Sequence, residues 1–140
     1  MKLDRYTQKA QEAILSAQQL ASSAKSPVLD VEHLLAALLD DPEGIPVMVL
    51  RQLGADPAAV AVEVAAVLGR RAKIDRGQLG LDPRVPTLIT AAEDEAKALG
   101  DEYVSTEHLL LAAARSGGDA QRLLEAAGAG HEALLTALEG

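Results

Sequence analysis

The residues with the most obvious chemical potential are three histidines, each beside a glutamate: Glu32-His33, Glu107-His108 and His131-Glu132. A carboxylate next to an imidazole can serve general acid–base catalysis or contribute to a metal site. The surroundings argue against both. His131-Glu132-Ala133-Leu134-Leu135 lacks the second histidine that a zinc-protease helix requires four residues on. The other two steps fall at the second and third positions of helices that begin after Asp30 and Ser105. A carboxylate there is favoured by the free N–H groups and the helix dipole, by about 0.3–1 kcal/mol. An imidazolium is disfavoured at the same end, so these histidines are expected neutral, hydrogen-bonded and packed between helices.

Other candidates have similarly plain explanations. Gly128-Ala129-Gly130-His131-Glu132-Ala133 matches the dinucleotide fingerprint in form, but a helix rather than a strand precedes it. It reads as a helix C-cap and a short turn. No phosphate-binding Gly-x-x-x-x-Gly-Lys loop and no Gly-x-Ser-x-Gly elbow occurs, so ATP hydrolysis by this chain is not expected. Glu93-Asp94-Glu95 and Asp101-Glu102 form acidic clusters that read first as solvated surface. Val85, Leu88 and Ile89 have the spacing of a core face, but Pro86 leaves an early turn where they could line a groove. With no cysteine in the chain, disulfides, thiolate metal sites and cysteine nucleophiles are excluded.

The elements that must position these residues follow from an internal repeat. A shift of 75 superimposes Glu32-His33-Leu34-Leu35 on Glu107-His108-Leu109-Leu110, Ala17 on Ala92 and Ala21 on Ala96. Past the next loop the shift becomes 74, carrying Leu50, Gly54 and Ala55 onto Leu124, Gly128 and Ala129. Each copy predicts four helices. In the first they run from Thr7 to Ser23, Val31 to Leu39 behind the cap Asp30, Gly44 to Gly54, and from Asp56-Pro57 to Gly69. In the second they run from Asp82-Pro83 to Gly100, from Ser105 through Ala114, Ala120 to Ala127 and His131 to Leu138. Residues 70–81 show no period and read as a linker between repeats 1–69 and 82–140. No segment reads as a strand, so the expected class is all-α, in one domain of 140 residues.

Composition agrees. Hydrophobic residues make up 49% of the chain but Tyr6 and Tyr103 are its only aromatics, so the core must be close-packed aliphatic helices. The net charge of −8 would repel phosphate backbones and anionic lipids, so no nucleic-acid or membrane partner is expected. The polar start, Met1-Lys2-Leu3-Asp4-Arg5, predicts no signal peptide, and no apolar run approaches the roughly 20 residues of a membrane span. A cytoplasmic location is the expectation. The repeat runs out at Leu138-Glu139-Gly140, as expected for a domain cut from a longer chain.

The repeat with its Glu-His-Leu-Leu steps resembles the N-terminal domain of the Clp family of AAA+ unfoldases, a double four-helix repeat, over essentially the whole chain. Leu3-Asp4-Arg5-Tyr6-Thr7 and the tract from Gly100 to His108 look most like the ClpB-type disaggregases. Pro83-Arg84 and the tract from Tyr103 to Leu110 also look like the ClpC type. The resemblance implies a non-catalytic module that binds unfolded or aggregated polypeptide and feeds it to a hexameric ring. It binds no cofactor itself, ATP and magnesium belonging to the ring. It assigns substrate contacts to Thr7, Asp101 and Glu107, with Glu32 as a possible pseudo-symmetric second site. Glu95 and His108 occupy positions that carry leucines in ClpB-type relatives, so a less apolar groove is implied. A ClpC- or ClpA-type domain would dock adaptors or phosphoarginine-tagged proteins; the ClpC resemblance implies phosphorylated arginine on Glu32 and Glu107 with nearby threonines, but Thr7 shifted by 75 lands on Asp82. A further alternative is a free-standing helical repeat protein with a structural or regulatory role.

Overall fold

Local capping sets the helix boundaries. In the computed structural model, which describes residues 4–71, 80–82 and 84–139, Thr7 Oγ1 accepts the Ala10 N–H at 3.2 Å and opens α1, Gln8–Ser23. Asp30 opens α2, Val31–Leu39. Gly44 and Pro46 start α3, Ile45–Gln52. Asp56 accepts from Ala58 and Ala59 to start α4, Pro57–Gly69, with proline at the first position where its missing N–H costs nothing. The second repeat supplies α5, Arg84–Ala98, α6, Thr106–Ala113, α7, Asp119–Ala126, and α8, His131–Glu139. The chain is all-α as expected. α5 begins two residues later than Asp82, because the Asp82 carboxylate acts as a cap and accepts the Arg84 N–H at 2.8 Å. Leu3, Pro83, Gly140 and positions 72–79 of the expected linker lie outside the described residues.

Two short parallel pairings were not expected, and they reveal the twofold. β1, Val28–Leu29, pairs with β2, Gly80–Leu81, placing Leu29 beside Leu81. An isolated bridge joins Tyr6 to Val104. Adding 75 to 6 gives 81, and subtracting 75 from 104 gives 29, so each pairing is the image of the other. Their hydrogen bonds match as well: Thr7 N–H donates to Val104 O and Asp82 N–H to Leu29 O, both at 2.9 Å. The lead-in to each repeat's first helix is therefore tied to the lead-in of the other repeat's second. Two-residue ladders between distant segments leave no period in sequence.

α2 and α6 lie at the centre. Leu34, Leu35 and Leu38 of one, and Leu109, Leu110 and Leu111 of the other, are buried, each worth about 1.5–3 kcal/mol relative to exposure. Gly54 and Gly128, both with φ near +80°, follow the ends of α3 and α7, and the next amide returns to the Leu50 or Leu124 carbonyl. Among the described residues no single helix is long and apolar enough to cross a membrane.

Candidate functional site

The two Glu-His steps are built into the starts of the central helices. His33 Nδ1 accepts the Asp30 N–H at 3.0 Å, and His108 Nδ1 accepts the Ser105 N–H at 2.8 Å. Each imidazole thus does for its cap residue what a glutamine or glutamate does in a capping box. A ring whose Nδ1 accepts from a backbone amide is neutral with its proton on Nε2. Burial, helped by nearby Arg71 and opposed by Glu32, holds the His33 pKa below the usual imidazole range. His108 uses Nε2 to donate to Asp101, 2.8 Å away. These histidines hold backbone, as read from the sequence.

The neighbouring glutamates share that backbone setting but differ in electrostatics. Glu32 is fully buried, and its Oε2 accepts the Ala120 N–H at 2.8 Å in the first turn of α7, across the repeat boundary. Arg71 Nη2 lies 2.7 Å from Glu32 Oε1, and Arg84 Nη2 lies 3.8 Å from it. Arg71 also pairs with Asp30 and Asp119, and Arg84 with Asp30 at 2.7 Å and Asp82 at 3.1 Å. Burial and the adjacent Glu32 push the Asp30 pKa up, against the pull of both guanidiniums. At Asp82 burial acts the same way, but the bonds from Arg84 outweigh it and hold the carboxyl below its ordinary range. Gly118 leaves the space this needs, since a Cβ there would collide with the Arg84 guanidinium.

Glu107 has no such partners among the described residues. The counterpart of Ala120, by the shift of 74, is Pro46, which has no N–H to give. The counterpart of Arg84 is Lys9, exposed and paired with Asp41 at 3.7 Å. Glu107 is half-buried, and its Oε1 is buried without a hydrogen-bond partner. Of the twin acids, Glu32 is neutralised from within by Arg71 and the Ala120 amide, while Glu107 has neither among the described residues.

Thr7, Asp101 and Glu107 converge on the α5–α6 connection. Thr7 is tied to Val104 by its amide, Asp101 to His108 by its carboxylate, and Glu107 is the neighbour of His108. The Asp101 carboxylate is about half exposed, while the Thr7 hydroxyl is already engaged in capping. Beside Ser105 and Thr106 a groove of about 550 Å³ opens towards Pro46 and Ile45, with Glu12, Asp41 and Glu43 along its walls. Of the apolar residues that could line a groove, Leu88 borders a recess of about 280 Å³ with Arg84, Thr87 and Arg115. Val85 and Leu88 are buried in the core, and only Ile89 remains half-buried. The three-residue spacing turns Val85 and Leu88 inward, leaving Pro86 and Thr87 exposed. The recess that Val85 and Ile89 share with Ile14, Leu29 and Leu34 holds only about 10 Å³, no more than one water.

Glu95 is buried as well, meeting His131 Nε2 at 2.7 Å and Arg115 Nη1 at 3.2 Å, so this acid pins the start of α8 to α5. Among the described residues no group of three His, Cys, Asp or Glu side chains is placed to hold a metal ion. Sequence reading missed Arg71 and Arg84 as partners of Glu32. One signal was available: Asp30 stands where the second repeat has Ser105, and an extra buried carboxylate demands a cation.

Comparison with known proteins places this arrangement. The model of the Clp repeat (R) N-terminal domain matches residues 5–127. The chaperone protein ClpB of Corynebacterium diphtheriae is 40% identical over 131 residues, covering 91% of this chain and 15% of that protein. ClpB of Mycobacterium tuberculosis is 38% identical over 130 residues, again covering 91% and 15%. The chain thus spans about 15% of the length of these relatives. The Hsp104 N-terminal domain from Candida albicans superimposes with a TM-score of 0.84 at 19% identity, covering 98% of this chain and 93% of that one. The ClpV N-domain solved in complex with a VipB peptide gives 0.75 at 19% identity, covering 98% and 93%. With its paired caps, its mirrored ladders and this match over nearly its whole length, the chain belongs to the Clp repeat N-terminal domain family.

Proposed function

We propose that this chain is the non-catalytic recognition domain of a ClpB-type, ATP-driven disaggregase. It captures unfolded or aggregated polypeptide at the edge formed by Thr7, Asp101 and Glu107. ATP, magnesium and a hexameric ring belong to the rest of the parent protein, in the cytoplasm. The observation that carries the reading is the asymmetry of the twin acids: among the described residues Glu107 keeps a buried oxygen with neither hydrogen bond nor ion pair, near a groove walled by Glu12, Asp41 and Glu43, whereas Glu32 is ion-paired to Arg71 and accepts the Ala120 N–H. An extended chain brings the amide and cationic donors such an oxygen lacks, which a well-folded surface has already paired. A ClpC-type site for modified arginine is less well supported, because Arg71 and Arg84 already fill the acids of the first repeat and Asp82 replaces the second threonine.

The test is titration with reduced, carboxymethylated α-lactalbumin, which cannot fold. Glu107→Gln is expected to weaken binding by about tenfold or more, the effect of one lost charge-assisted hydrogen bond. Its unfolding free energy should stay within about 1 kcal/mol of the parent, because the oxygen removed has no internal partner. Unchanged affinity in both Glu107→Gln and Thr7→Ala would overturn the site.

A further inference from the structure

The recess beside Leu88 is the twofold image of part of the acid-lined groove. Every residue lining it is, by the shift of 75, the counterpart of one that lines the groove next to Ser105. The helix pairs α1–α2 and α5–α6 therefore carry the same depression in the same place. Their charges are opposite. Thr87 stands where the first repeat has Glu12, Arg115 where it has Asp40 and Ser116 where it has Asp41, while Arg84 takes the place of Lys9. The first groove is lined by four acids and one lysine, the second by two arginines and no acid. This cationic wall stands in a chain whose net charge is −8.

Both guanidiniums are held in place without a ligand. Arg84 is gripped by Asp30 at 2.7 Å and Asp82 at 3.1 Å. Arg115 Nη1 meets Glu95 at 3.2 Å, yet the side chain is 61% exposed and its other nitrogens have no partner among the described residues. Glu95 keeps His131 at 2.7 Å as a second donor, so Arg115 can turn towards a ligand without stranding that acid. The planar fork of a guanidinium matches a carboxylate, and an arginine fixed in advance loses little further freedom on binding. The rest of the wall is Leu88, two alanines and two hydroxyl side chains. It offers donors for an anion and apolar surface for the chain that bears it.

We propose that this recess is a second recognition site, taking the carboxylate side chain of an acidic segment of polypeptide on Arg115 and Arg84, with an aliphatic neighbour against Leu88 and Ala91. The inference rests on the reading of the chain as a domain that binds unfolded protein, and gives that domain two grooves of opposite charge preference. The acids of the first groove repel such a segment and suit a basic one. At about 280 Å³ the recess holds a side chain or two, not a folded element. A small free anion would leave its apolar wall unused.

The experiment titrates the nitrogen-15-labelled chain with a short, unfolded peptide of glutamate, leucine, serine and glycine, and with the same peptide carrying glutamine for glutamate. The amide resonances of Thr87, Ala91 and Ser116 should shift with the acidic peptide, while those of Glu12, Ser16 and Asp41 stay. The glutamine peptide should bind about fivefold more weakly, the upper range for an exposed ion pair. Arg115→Gln should weaken the acidic peptide by a similar factor, and Thr87→Glu, which copies Glu12 onto an exposed position, by at least as much. Urea midpoints close to the parent's show that both variants are folded. Equal affinity for the two peptides, or for the parent and both variants, overturns the inference and leaves the Glu107 site standing. The same shifts from acetate at equal carboxylate concentration would make this a site for adventitious anions only. Shifts on concentrating the chain without peptide would make the occupant a second copy; either result overturns the proposal. If neither the acidic peptide nor carboxymethylated α-lactalbumin binds, both readings fall together.

Discussion

Arg71→Met is the sharpest test of how the two repeats are held together. The Arg71 side chain is 27% exposed and faces Asp30 at 6%, Glu32 at 0% and Asp119 at 40%. Breaking a buried ion pair by removing one partner costs about 3–5 kcal/mol when nothing else compensates. Here Arg84 stays on Asp30 at 2.7 Å, and the Ala120 N–H stays on Glu32 at 2.8 Å. The contact to the exposed Asp119 is worth less than about 1 kcal/mol. The expected loss is therefore about 2–3 kcal/mol, lowering Tm by roughly 6–12 °C for a chain of this size. Urea denaturation should show a lower midpoint with the same slope, and only weak dependence on salt because the pair is buried. A double-mutant cycle with Glu32→Gln, which keeps an oxygen for Ala120, should give a coupling of at least about 1 kcal/mol. A change within about 0.5 kcal/mol, the size of an ordinary surface substitution, would refute the clamp.

Three further outcomes follow from the same structure. The His33 pKa is held below its unfolded value, so the unfolded chain takes up the proton first as pH falls. Stability from this group is full above about pH 6.5 and is lost as pH drops through the folded value, by at most about 1.4 kcal/mol per pH unit. Urea midpoints between pH 5 and 8 should show that slope, and His33→Gln, which can still accept the Asp30 N–H, should flatten it. An undiminished slope in the variant would assign it elsewhere. Leu35→Ala and Leu110→Ala, at twin positions with 0% exposure, should each cost about 2–5 kcal/mol by denaturation and by similar amounts. Gly118→Ala should displace the Arg84 guanidinium from Asp30 and destabilise by about 1–2 kcal/mol. Combined with Arg84→Met, the glycine substitution should add nothing.

The caps at Asp30, Asp56 and Ser105, the helix register and the twin Glu-His-Leu-Leu steps were all legible in the sequence, whereas Thr7, read as the first residue of its helix, is the cap before it. They depend on interactions spanning three or four residues, which spacing records. The neutral, backbone-holding role of His33 and His108 was legible for the same reason, since the cap and its imidazole are three residues apart. What the tertiary structure decided is how the two copies differ. Glu32 and Glu107 look alike in sequence, but one meets an amide 88 residues away and the other faces the counterpart position as proline. Arg71 reads as part of a linker until the fold sets it on Asp30 and Glu32. Val85 and Leu88 have the spacing of a core face, and it is the packing of α5 that buries both. Their helix pattern specifies a face, but only packing settles whether a neighbour covers it. The Glu-His steps themselves are local, whereas the charge each glutamate meets is set by chain segments that sequence spacing cannot bring together.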